Sequence, residues 1–122
     1  MSNSISRNLD VRVATRVFGR KVVYSSVEDT YAMTIGQGSE IALLPLFTSD
    51  PTWEDDIVVS ILIERLANID IKAETDGYHV RFITVSDEAR EIDWYCADTE
   101  QEAICKAAVA FRERFPLNSV VL

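Results

Sequence analysis

The chain has 122 residues, 48% hydrophobic and 26% charged, with a net charge of −8. This is the length and composition of a single globular domain, residues 1–122, and it excludes a disordered chain. Residues 1–8 are polar, unlike a signal peptide, and the longest apolar run, residues 57–63, is broken by Ser60 and too short to span a bilayer, so a cytoplasmic protein without a membrane partner is expected.

The charge is uneven. Residues 1–24 carry Arg7, Arg12, Arg16, Arg20 and Lys21 against Asp10, a local +4, which leaves −12 on the remainder. Most of the chain therefore repels a phosphate backbone, and nucleic acid is not expected as a partner.

In chain order, residues 1–8 read as a flexible amino terminus. Leu9, Val13 and Val17 then form one stripe of a helix over residues 9–18, with Asn8 as its N-cap and Gly19 at its end. Residues 20–47 read as irregular. Within them, residues 22–24 and 31–35 suit either short strands or packed loop, Gly36-Gln37-Gly38-Ser39 suits a turn, and Pro45 argues against a central strand over residues 40–47.

A second helix is expected after Asp50-Pro51. Asp50 can cap it, Pro51 fits its first turn, and Glu54, Asp55 and Asp56 complement the positive end of its dipole. Trp53, Ile57, Ile61, Leu62 and Leu66 give its buried face, and Val58, Val59 and Ile63 extend it, which implies cover on more than one side. A three-stranded meander follows. Ile69, Ile71 and Ala73 alternate with polar residues, and Asp76-Gly77 reads as a two-residue turn. Tyr78, Val80 and Phe82 share a face, and Ile92, Trp94 and Cys96 share the buried face of a third strand.

The last helix has Thr99 and Glu102 at capping-box spacing, a face of Ile104, Ala107, Ala108, Phe111 and Phe115, and Pro116 as its stop. Residues 117–122 are a carboxy-terminal tail. The fold class is thus α+β, helices packed on a small antiparallel sheet, in the order helix, irregular segment, helix, three strands, helix.

Three segments carry a resemblance. Leu9-Asp10 with Val13-Ala14, Val17 and Gly19, then Phe47-Thr48-Ser49-Asp50, then Glu102-Ala103-Ile104-Cys105-Lys106-Ala107-Ala108 together resemble the phage ABA sandwich domain family. The likeness spans nearly the whole chain, with residues 21–44 departing most. It implies an α/β sandwich from a phage or prophage, resident in the host cytoplasm, with no established activity and no catalytic residue to transfer.

The chemistry-bearing residues point the same way. Cys105 reads as a packed small hydrophobe and Cys96 as its counterpart on a buried strand face, both reduced. His79, the only histidine, makes neither a triad nor a metal set by linear spacing. The order helix, three strands, helix is shared with double-stranded-RNA-binding domains, but the last helix opens on Asp98, Glu100 and Glu102 where phosphate binding needs lysine. Arg12, Arg16 and Arg20 recur every fourth residue, a row that on a helix could hold phosphates or an acidic partner. The expectation is a non-enzymatic protein with no catalytic residue, metal or cofactor. It would bind itself or an unknown phage or host protein. The alternatives are an acidic nucleic-acid mimic directed at a host defence protein and a nucleotide or small-ligand binder using the three arginines.

Overall fold

Val13, Ala14 and Val17 are fully or almost fully buried, so the amino-terminal stripe does face the core. The computed structural model describes residues 2–25, 29–35, 40–65 and 67–116. In it, helix α1 runs over Ser2–Arg12 and continues as a π-helical turn over Val13–Val17. The helix thus starts well before the expected residue 9, residues 2–8 are part of it, and Asn8 lies inside it instead of capping it. The π turn is closed by the Phe18 amide donating to the Val13 carbonyl at 3.2 Å. Gly19 then takes φ +67°, and the Arg20 amide reaches the Ala14 carbonyl at 2.9 Å.

The segment expected to be irregular contains a sheet. Strands β1 (Val22–Ser25), β2 (Thr30–Ile35) and β3 (Glu40–Leu43) pair antiparallel in that order. β3 is an edge strand that stops before Pro45, which is how a proline near a sheet is tolerated. Met33 and Leu44 are buried in the core, with Val22 and Tyr31 packed against it. The expected turn at residues 36–39 lies outside the described residues, as do the tail at 117–122 and Leu66.

Asp50 caps a 3₁₀ turn, Pro51–Trp53, through its side chain accepting from the Thr52 amide at 3.0 Å. Helix α2 (Glu54–Arg65) follows directly. Ile57 and Ile61 are fully buried, Val58 and Leu62 pack against the core, and α2 meets α3, β4 and the π turn. It is thus covered from more than one direction, but Val59 is 47% exposed and does not extend the buried face as expected. Helix α3 (Glu100–Arg114) is covered more fully, and Ala103, Ile104, Cys105, Ala107, Ala108, Val109 and Phe111 are all buried. It packs against α2, the π turn and the second sheet. Small side chains at 103, 107 and 108 let those neighbours approach its axis. Thr99 caps it by accepting from the Glu102 amide at 3.1 Å, as its spacing requires.

Strands β4 (Asn68–Glu74), β5 (Gly77–Ile83) and β6 (Tyr95–Ala97) form the second antiparallel sheet. The inner row Ile69, Phe82, Ile71, Val80 and Tyr95 follows from the register, and Phe82 meets Phe111 edge-on at 6.1 Å. Two details differ from expectation. Glu74 pairs with Gly77, so Thr75 and Asp76 form the turn and Gly77 opens the strand. β6 is also shorter than expected. Arg81 donates to the Ile92 carbonyl at 3.2 Å and lies with Lys72 over the Trp94 ring, which holds residues 92–94 outside the ladder.

Gly77 has φ +132°, and a Cβ built on it would lie 2.5 Å from the Ala97 carbonyl oxygen. Gly77→Ala is expected to cost about 2–3 kcal/mol through left-handed strain and displacement of β6. Urea unfolding checks this; a change below about 0.5 kcal/mol would contradict the close approach.

Among the described residues the architecture is α+β, with three α-helices and two small antiparallel sheets. No described helix is long and apolar enough to cross a membrane.

Candidate functional site

In an antiparallel pair, residues directly opposite one another project from the same side of the sheet. The registers Val23↔Ala32, Ala32↔Leu43 and Thr34↔Ile41 therefore place Val23, Thr30, Ala32, Thr34, Ile41 and Leu43 on one face of the first sheet, opposite the face that carries Met33. A sheet with one side on the core ordinarily turns polar and charged residues outward. Here the outward face holds no charged side chain among these residues, although a quarter of the chain is charged. Leu43 is 72% exposed, Ile41 63% and Val23 58%. Small Ala32 sits between Val23 and Leu43, leaving a shallow depression of about 330 Å³ along the row. At the rim the Lys21 backbone amide donates to Thr34 Oγ1 at 3.2 Å, and the exposed acids Asp29 and Glu40 stand just before β2 and at the start of β3.

The three arginines separate. Arg12 pairs with Glu113 at 2.9 Å and borders a depression with Leu9, Tyr95 and Val109. Arg16 and Arg20 border a different one, with Thr15, Arg112 and Glu113. The π turn is the physical reason. It breaks the four-residue repeat after Arg12, and Gly19 ends the helix before Arg20, so no single row forms.

The two cysteines also differ. Cys105 is fully buried, and its thiol donates to the Phe47 carbonyl at 3.3 Å. Burial first, then the charges of Asp10, Glu102 and Glu54, push its pKa far above the ordinary thiol range, so it is inert at neutral pH. Cys96 is exposed, not buried as expected. It lies opposite His79 across the β5–β6 ladder, on the outer face. Both cysteines are free.

Glu54, Asp55 and Asp56 occupy the first turn of α2, as dipole complementarity predicts. Glu54 also faces the start of α3. Its pKa is raised by burial and then by the charges of Glu100 and Asp55. The other acids are largely engaged within the protein. Asp70 pairs with Arg81 at 3.1 Å, Asp87 with Arg114 at 2.8 Å, and Glu102 with Lys106 at 3.5 Å.

One polar site has no counterpart in the sequence reading. Asp10, fully buried, accepts from Arg7 at 2.7 Å and from the Thr48 amide at 2.8 Å, while Arg7 also donates to the Leu44 and Pro45 carbonyls. Gln101 donates to the Phe47 and Asp50 carbonyls at 2.8 and 2.6 Å. The segments around residues 10, 47–50 and 101–105 thus meet at one buried turn, where their polar groups satisfy each other and face no cleft. Their role is structural.

No protein-family model, curated protein or solved structure matches this chain.

Proposed function

We propose that this chain is a non-enzymatic accessory protein that acts by binding protein through the outer face of its first sheet, with a second copy of itself as the partner. The phage or prophage setting, and with it the host cytoplasm, rests on the resemblance of its three motif segments. The observation that carries the binding reading is the uncharged row Val23, Ala32 and Leu43 beside Ile41, left open on a sheet whose other face reaches the core through Met33, with Val22 and Tyr31 packed against it.

A second copy suits this face for two reasons. Its two-fold pairing is self-complementary in size, since Leu43 of one copy can seat against Ala32 of the other. Elsewhere a chain of net charge −8 repels its copy, whereas the described outward row of this face carries no charge, and the charges that border it, Lys21, Asp29 and Glu40, are of both signs. The apolar area involved is on the order of 500 Å² per copy, small for a stable dimer, which places the association in the micromolar range. The acidic mimic is less favoured because its candidate acids are divided among internal ion pairs and helix caps. A nucleotide binder is less favoured because its three arginines are split between two depressions.

Sedimentation velocity between about 1 and 200 µM tests the reading. The expected result is a monomer–dimer shift that strengthens with added salt, as screening relieves the repulsion. Leu43→Glu should hold the protein monomeric without lowering its Tm. A wild-type protein that stays monomeric over the range, or a Leu43→Glu variant that still dimerises, would overturn it.

A further inference from the structure

We infer that Asp76, His79 and Cys96 form a binding site for a single zinc ion on the outer face of the second sheet. This goes beyond the dimer reading and does not depend on it. The sequence reading expected no metal because one histidine with scattered partners has no recognisable linear spacing. Strand register supplies what that spacing hides. His79 and Cys96 are direct cross-strand partners, a relation that brings side chains within reach on one face. Asp76 sits in the turn that begins the same strand. One donor atom from each of the three lies within 4.8 Å of the others.

The donor chemistry is selective. An imidazole nitrogen, a thiolate sulfur and a carboxylate oxygen together suit a borderline cation, whereas magnesium and calcium favour oxygen alone. Ordinary zinc bond lengths at tetrahedral angles require the donors to stand roughly 3.3–3.6 Å apart. His79 Nε2 and Asp76 Oδ1 are now 2.9 Å apart in a hydrogen bond, and Cys96 Sγ rests 4.0 Å from the Asp76 carbonyl. Rotations moving each donor by about 1 Å suffice, leaving the fourth position to water.

The scaffold is firm where it matters. Gly77 lets β6 approach closely, since a Cβ on it would lie 2.5 Å from the Ala97 carbonyl oxygen. Lys72, opposite His79 in β4, is held with its ammonium 4.4 Å over the Trp94 ring. On binding, His79 Nε2 gives up the proton it donates to Asp76 and the neutral ring keeps its proton on Nδ1. The hydrogen bond is thereby exchanged for two bonds to the metal, and the Cys96 thiol loses its proton to solvent.

The test uses the full chain without an affinity tag, titrated with zinc chloride and separately with cobalt(II) chloride. The expected results are one zinc per chain with a micromolar or tighter Kd, a cobalt complex showing a thiolate charge-transfer band, and protection of Cys96 from alkylation. Cys96→Ser should abolish the band and weaken zinc binding at least about 30-fold, with His79→Gln similar. Cys96 is exposed and His79 lies half-buried on the outer face, so these variants should fold, and circular dichroism checks that they do. Should one not fold, the cobalt spectrum of the unaltered protein decides alone. Absence of saturable binding below about 1 mM, a cobalt spectrum without a thiolate band, or undiminished binding by folded Cys96→Ser would overturn the site.

Discussion

Asp10→Ala is expected to destabilise the fold by about 3 kcal/mol, lowering Tm by roughly 10 °C. The carboxylate is fully buried and holds two elements together, α1 through Arg7 and the turn before α2 through the Thr48 amide. Alanine would leave that amide buried without an acceptor and Arg7 with carbonyl partners only, and orphaned buried donors are costly. Burial raises the pKa of Asp10 despite Thr48 and Arg7, which pull it down. The native state therefore binds a proton more tightly than the unfolded chain. The stability Asp10 contributes is fully present below its unfolded pKa and declines as pH rises through the folded value. Relative to Asp10→Asn, which keeps an oxygen for Thr48, the wild type should lose part of its advantage on going from acid to neutral pH. Thermal melts of the three proteins across pH check both statements. An Asp10→Ala variant within about 1 kcal/mol of wild type would show that the buried turn is not held in this way.

Phe47→Ala should cost about 4 kcal/mol, within the range for deleting a buried aromatic ring. Phe47 is 1% exposed, stacks on Phe18 at 5.3 Å and meets Trp53 edge-on at 4.8 Å. Its ring joins the end of the π turn to the start of α2, while its carbonyl accepts from Gln101 and Cys105 of α3. Removing the ring leaves a cavity bordered by Trp53 and Phe18, and partial collapse of that cavity would displace the carbonyl. Urea unfolding followed by tryptophan fluorescence measures the cost, with native emission from Trp53 shifting to the red as its apolar neighbour is lost. A loss below about 1.5 kcal/mol would mean that the aromatic cluster is peripheral to the core.

Local signals were legible in the sequence wherever one residue's chemistry decides a boundary. Asp50 and Thr99 cap where their spacing says, and Gly19 takes the positive φ that ends the first helix. Features set by distant partners were not. Val13 and Val17 report burial but not the π turn between them. Alternation correctly grouped Trp94 with Cys96, yet their apolar character pointed that face inward. The register turns it outward, with Tyr95 and Ala97 facing α3. The first sheet was hard to read for a specific reason. Strands β1 and β3 lack the polar-out alternation that marks a half-buried strand, because their outer positions include Val23, Ile41 and Leu43, while β2 keeps it with Thr30 and Thr34 outward. The irregularity that obscured the strands is the feature on which the proposed interface rests. Of the sites, the arginine row was visible as a repeat but is divided by backbone geometry. The Asp76, His79 and Cys96 group exists only through strand pairing.

The outer face of the first sheet is most directly tested by amide chemical shifts recorded over a dilution series. If two copies meet there, the signals of Val23, Ala32, Ile41 and Leu43 shift together with concentration, while those of Asp70, Lys72 and Arg81 on the second sheet stay fixed. Shifts confined to the second sheet, or spectra that superimpose at every concentration, would contradict it.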